Sequence, residues 1–262
     1  MGLAADGKQK FEGTNAGDAK ELVTGISFRW CPAGKFTMGS PEPNMGQVTV
    51  ELTTGFWLGE TEVTHGQWQK LMGTTPWMGE SWAKSGPEYA DYAASYISYK
   101  AAVLYCKKLT AQERQSGRIP SDWKYSLPTE AQWEYACRAG TQTVFSFGDD
   151  ESMLSEFAWF KDNAYDMDES FPHQVGLKKA NPWGLKDMHG NVSEWCSDWY
   201  HPAGGKSKGG VDPAGPATGK YRIHRGGGWD THNTGCGSAD GSIGSPNQGT
   251  LRSGFRIAAI PE

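Results

Sequence analysis

Residues 127–140 read LPTEAQWEYACRAG. Thr129, followed three residues later by Gln132, forms the pattern of a capping box, in which a hydroxyl and an amide satisfy each other's backbone N–H groups. Glu130 complements the positive helix start, and Gly140 suits the left-handed position after the last turn. The spacing predicts a short, firmly bounded helix. Upstream, Ser98 caps a longer helix from Tyr99 to about Arg114, closed by Gly117, with Ala101, Leu104, Tyr105 and Leu109 as its apolar stripe. Earlier still, Thr64 caps a short helix through Leu71. Phe28–Met38, around Pro32 and Gly34, and Gln47–Leu58 alternate apolar and polar residues and read as the two strands of one hairpin.

Downstream, NPWGLKDMHGNVSEWCSDWY (181–200) mixes turn residues with Trp183, Trp195 and Trp199. Such spacing suits a loop that folds under aromatic cover and then enters a strand. GGGWDTHNTGCGSADGSIGSPNQGTLRSGFRIA (226–258) ends like a buried strand, at Gly254, Phe255, Arg256 and Ile257. Before that end, from Asp230 to Ser253, it is Ser, Thr, Asn, Asp and Gly at sixteen of twenty-four positions, with one Cys, one Pro and a scatter of others. A segment so poor in apolar side chains builds no core of its own and must be pinned from outside.

The chain of 262 residues is long enough to bury a sizeable core, and twelve Trp, ten Tyr and ten Phe make that core aromatic. With no internal repeat, no linker and Gly spread through the length, it reads as one loop-rich domain, residues 24–262, behind a polar arm, residues 1–23. A net charge of −5 gives nucleic acid no basic face to bind. Lys206 and Lys208 read as a solvated loop tip. No apolar run is long enough to span a membrane. The opening MGLAADGKQKFEGTNAGDAK lacks the apolar core of a signal peptide, and Asp6 stands where myristoylation needs Ser or Thr. Cys31, Cys106, Cys137, Cys196 and Cys236 are odd in number and widely spaced, so they read as small buried hydrophobes. The triplet Glu42, Pro43, Asn44 reads as a proline-rich turn.

Six stretches together, FTMGS (36–40), WLGETEVTHGQW (57–68), LPTEAQWEYACRAG, NPWGLKDMHGNVSEW, RGGGW (225–229) and SGFRIA (253–258), resemble the formylglycine-generating enzyme family, the sulfatase-modifying-factor domain. The resemblance implies an α+β fold, an elaborated C-type lectin fold with small mixed sheets, two main helices and much irregular loop. Catalytic members of the family hold copper(I) between two cysteine thiolates, the arrangement a soft ion prefers. Here Cys236 matches the second cysteine and Thr231 the first, and a hard hydroxyl does not replace a thiolate. The additional iron-binding domain of the family's ergothioneine-synthase relatives has no counterpart in this chain. Asp187 and Asn191, with Gly190, offer oxygen atoms of the kind some members give to calcium, or equally stabilise a turn.

The segment also resembles the variable region of proteins diversified by retroelements, of the Treponema type, in which mutated adenines turn Asn codons into many residues but never Lys, Glu, Met or Trp. None of those four occurs between Asp230 and Ser253. This resemblance implies a non-catalytic display protein without cofactor, with a variable region at 225–258. Its ligand-binding positions are Asp230, Thr231, His232, Asn233, Thr234, Gly235, Ser238, Asp240, Gly241, Ser242, Ile243, Gly244, Ser245, Asn247, Thr250, Leu251 and Arg252, held by Trp229, Cys236, Ala239, Pro246 and Phe255. It further implies a monomer at the cell surface or secreted, whose partner is a variable protein or other surface ligand. The alternative is a copper-dependent oxidase with an incomplete cysteine pair.

Overall fold

The structure, a computed structural model, describes residues 11–23, 25–41, 46–78, 86–201 and 209–262. The triplet at 42–44, Lys206, Lys208 and residues 1–10 lie outside the described residues.

In chain order, strands β1 (Ala19–Val23), β2 (Ile26–Cys31), β3 (Gly34–Gly39), β4 (Gln47–Leu52) and β5 (Phe56–Gly59) lead into helices α1 (His65–Met72) and α2 (Tyr99–Gln115). Strand β6 (Trp123–Ser126), helix α3 (Glu130–Arg138) and the single turn α4 (Leu154–Phe157) follow. A long irregular stretch then reaches β7 (Ser193–Trp199), β8 (Gly210–Val211), β9 (Arg222–Arg225), β10 (Gly241–Gly244), β11 (Ser253–Gly254) and β12 (Ala258–Pro261). These strands form three small sheets, ordered β1-β2-β5-β12-β6, β10-β9-β7-β11 and β3-β4-β8. The pairs β7–β11 and β4–β8 run parallel and the rest antiparallel, so the architecture is α+β with mixed sheets.

The local signals at the helix starts act as their chemistry requires. Gln132 N–H donates to Thr129 Oγ1 at 3.1 Å, and Thr129 N–H donates to Gln132 Oε1 at 2.9 Å. Thr64 and Gln67 form a second capping box, and Ser98 Oγ accepts the Ala101 N–H. At the end of α3, Ala139 itself takes the left-handed conformation and Gly140, at φ +95°, follows it.

The hairpin differs from its expected form. Each of its two strands breaks in the middle, so β3 and β4 pair in one sheet while β2 and β5 pair in another. The reason is local. Pro32 has no N–H for a ladder, and the Thr53–Gly55 turn on the other side lets the chain step from one sheet to the next.

The arm at 1–23 also needs correction. Leu22 and Val23 of β1 are buried, and Phe11 stands edge-on to Trp123 with ring centroids 4.8 Å apart. An edge strand with one polar face carries too few apolar residues to stand out in the sequence. In α2 the buried stripe is Ala102, Tyr105, Cys106 and Leu109, whereas Leu104 is exposed. Phe255–Ile257, expected as strand, is buried but lies between β11 and β12.

Two apolar clusters dominate the core. In one, Trp68, Tyr105 and Phe255 meet with centroids 5.4–6.1 Å apart, fastening the helices to the C-terminal strand segment. In the other, Trp133, Ala136 and Cys137 of α3 pack over Met188, Cys196 and Ile223. All five cysteines are free and buried.

Candidate ligand-binding face

Residues 226–252 leave β9, cross the surface and return through β10, which pairs antiparallel with β9 in the register Gly241↔Arg225 to Gly244↔Arg222. Their ends are held by buried charge. Arg225 pairs with Glu134 and lies 3.4 Å from Glu130, both on α3, and donates to the Asp240 carbonyl. Beyond the segment, Arg256 grips Glu194 through two hydrogen bonds of 2.7 Å, and Glu194 Oε2 also accepts the Trp133 indole N–H. Arg256 spends its remaining donors on the carbonyls of Gly59, Glu60 and Lys186. Each of these guanidinium groups is buried and matched, which is the condition under which a buried charge is tolerated.

Between those ends the pins are uncharged. Trp229 is 2% exposed, and its backbone N–H donates to Asn191 O at 2.9 Å. His189 Nδ1 lies 2.9 Å from the Cys236 carbonyl and Nε2 lies 2.8 Å from Ser146 Oγ. Because a carbonyl only accepts, Nδ1 carries the proton and Nε2 accepts from serine. Burial pushes the His189 pKa down to about 4, so the ring is neutral at physiological pH and holds this tautomer. Nothing in the sequence singled out His189 or Ser146 as the clamp on Cys236, because the contact joins segments far apart in the chain.

The expected binding positions separate into groups. His232, Thr234, Gly241, Ser242, Ile243, Asn247, Thr250 and Arg252 are exposed, and Asn233, Gly235, Ser245 and Leu251 are half-buried. Asp230, Thr231 and Asp240 are half-buried too, but their side chains stabilise the segment itself. Asp230 pairs with Arg252, Thr231 Oγ1 accepts the Gly228 N–H, and Asp240 Oδ2 accepts the Gly237 N–H.

Three positions are corrected, since they have no free space for a varied side chain. Ser238 is fully buried beside Cys137. A Cβ on Gly244 would lie 2.5 Å from His224 Cε1 and 2.6 Å from Trp195 Cη2, and one on Gly241 would lie 2.9 Å from the His224 carbonyl oxygen. Composition alone made these residues look interchangeable with their exposed neighbours. The expected pins Trp229, Cys236, Ala239 and Phe255 are buried, while Pro246 is only half-buried.

The copper centre of the catalytic relatives does not fit these residues. A Cβ built on Gly227 would sit 3.0 Å from Cys236 Sγ and 3.3 Å from Thr231 Cγ2, so both side chains border the same small space beside Gly227. One is a thiol that burial pushes up to about 12, and the other presents a methyl group while its hydroxyl closes a turn. Soft two-thiolate ligation has one partner only.

The calcium candidates form turns instead of a cage. Asp187 and Asn191 adopt φ +58° and +65°, a region Asp and Asn tolerate. Asp187 Oδ2 accepts the Gly176 N–H and Asn191 Oδ1 the His173 N–H, leaving Asp187 Oδ1 without a hydrogen-bond partner among the described residues. One remaining oxygen falls far short of the six to eight that calcium takes. Burial raises the Asp187 pKa to about 6, and Glu62, whose carboxylate oxygens are also buried, is raised well above the usual range, first by burial and then by Asp187.

Residues 16–260 match the family described as the sulfatase-modifying factor enzyme 1-like domain. Among curated relatives, the formylglycine-generating enzyme of Streptomyces coelicolor is 35% identical over 50% of this chain and 46% of its own length. The mouse enzyme (Mus musculus) of the same name is 27% identical over 87% of this chain and 73% of its own. Among solved structures, Treponema denticola variable protein 1 superposes with a TM-score of 0.79 at 27% identity, covering 93% of this chain and 99% of that one. The structure of PvdO from Pseudomonas aeruginosa superposes with a TM-score of 0.77 at 25% identity, covering 94% and 99%. With its α+β C-type lectin-like fold and a match over nearly its whole length, the chain belongs to the sulfatase-modifying factor enzyme 1-like domain family.

Proposed function

We propose that the chain is a non-catalytic display protein, in which the family fold presents residues 230–252 as a ligand-binding face diversified by a retroelement. The observation that carries this reading is the division of labour within the segment. Exposed side chains such as His232, Thr234, Ser242 and Asn247 contribute nothing to the core, while Trp229, Cys236, Arg225 and Arg256 hold the backbone independently of them. Likeness to a solved variable protein over nearly the whole chain supports it. Recognition then uses a preformed surface with little backbone movement, across at most a standard interface of about 800 Å² per partner. A monomer at the cell surface or secreted, meeting a variable protein or other surface ligand, is part of the same reading.

The test is a library that randomises His232, Thr234, Ser242 and Asn247 together. Thermal unfolding midpoints clustered near the parent value support the reading; widespread loss of folding contradicts it.

The second reading, a copper-dependent oxidase, is favoured by the formylglycine-generating enzymes among the relatives. It requires uptake of one copper(I) ion per chain and oxygen consumption with a cysteine-containing peptide.

A further inference from the structure

Residues 149–169 contain eight acidic side chains and one lysine, so this short stretch carries more negative charge than the whole chain's net −5. It lies directly against the proposed binding face. Lys161 N–H donates to the Thr231 carbonyl at 3.0 Å, and Asn233 Nδ2 donates to Glu151 Oε2 at 2.8 Å. The Tyr165 ring lies 5.9 Å from that of Trp229. Asp149, Asp150, Glu151, Asp162, Asp166 and Asp168 are exposed around it, and the single lysine is committed to Asp166 at 2.5 Å.

Two further observations indicate a partner. Apolar side chains stand out of this acidic border, with Tyr165 48%, Met167 65% and the neighbouring Val144 51% exposed. Val144 belongs to the same border because its carbonyl accepts the Ser238 N–H at 2.8 Å. Beside Tyr165, the Trp229 indole N–H is buried and has no acceptor among the described residues. Tyr and Met are enriched where protein interfaces form, and a border with a large excess of acidic groups, even with Lys179 paired to Glu156, steers oppositely charged partners.

We propose that residues 149–169 form a constant acidic collar along the 229–238 side of the variable face, selecting protein partners that present lysine and arginine side chains around an apolar centre. The inference rests on the display reading and adds to it. The variable side chains choose among partners, while the collar sets the charge class that all partners share. Nucleic acids and anionic membrane surfaces are repelled by the same field.

A random peptide library displayed on phage, selected against the full chain at low salt, tests this. Recovered peptides are expected to be rich in Lys and Arg. Their association rates should fall roughly tenfold between about 0.05 and 0.5 M salt. The triple variant Asp162→Asn, Asp166→Asn, Asp168→Asn should slow association roughly tenfold. Asn suits the left-handed backbone of Asp168, at φ +63°, and an unchanged melting curve confirms the fold. The double variant His232→Ala, Thr234→Ala should also weaken binding. Peptides without cationic excess that ignore the triple variant but are lost with the double variant overturn the collar and leave the display reading standing. Peptides insensitive to both variants overturn both.

Discussion

Replacing Gly244 by alanine adds one methyl group at a point where the structure has no room for it. The new carbon would lie 2.5 Å from His224 Cε1 and 2.6 Å from Trp195 Cη2, against about 3.5–4.0 Å for a favourable carbon–carbon contact. Neither ring can retreat. Trp195 is fully buried with its indole N–H bonded to the Ile97 carbonyl at 2.8 Å, and His224 packs on it at a centroid distance of 3.6 Å. Overpacking of this kind costs about 1–3 kcal/mol. For a chain of this size, 2 kcal/mol lowers the melting temperature by roughly 4–8 °C. The exposed control Thr234→Ala should stay within about 0.5 kcal/mol of the parent. Paired melting curves by circular dichroism read both. A Gly244→Ala protein melting with the parent would show that β10 yields freely, and would refute the separation of the segment into open and closed positions.

Three other predictions concern groups with named roles. Arg256→Met leaves Glu194 buried and unpaired and should cost about 3–5 kcal/mol in chemical denaturation; a loss below 1 kcal/mol would dismiss the pair as an anchor. The folded pKa of Glu62 is raised, so its contribution to stability is complete below the unfolded value and declines as pH rises through the folded one. Glu62→Gln should therefore gain stability relative to the parent between pH 5 and pH 8, and a constant difference across that range would contradict the shift. Thr231→Cys places a second thiol on the same small space that Cys236 borders and should bind one copper(I) ion per chain in a competition titration, where the parent binds none at that site. Equal uptake by both proteins would place copper elsewhere.

What the sequence disclosed depended on how local the governing interaction is. Thr129 with Gln132, Thr64 with Gln67, and Ser98 each act within one helical turn, and all three helix starts were legible. The hairpin was legible as a pairing but not as two sheets, because the break at Pro32 takes meaning only from the strands that flank it. Within residues 230–252, Ser238 looks like Ser242, and Gly244 like any other glycine of the segment. They differ in what lies beneath them, Cys137 in one case and the Trp195–His224 stack in the other, each distant in sequence. The buried charges were missed for the same reason. Arg256 in SGFRIA reads as an interruption of an apolar run until Glu194, sixty-two positions earlier, is brought against it.

In the display reading, side chains at 230–252 vary while the scaffold stays constant. Sequencing the DNA beside the gene for a near-copy of codons 225–258 tests it most directly. A display protein of this kind should have a neighbouring reverse transcriptase gene and a repeat whose mismatches fall only at adenines, concentrated in codons for exposed residues such as His232, Ser242 and Asn247 and absent from those for Trp229, Cys236 and Gly244. A locus with no such repeat would contradict it.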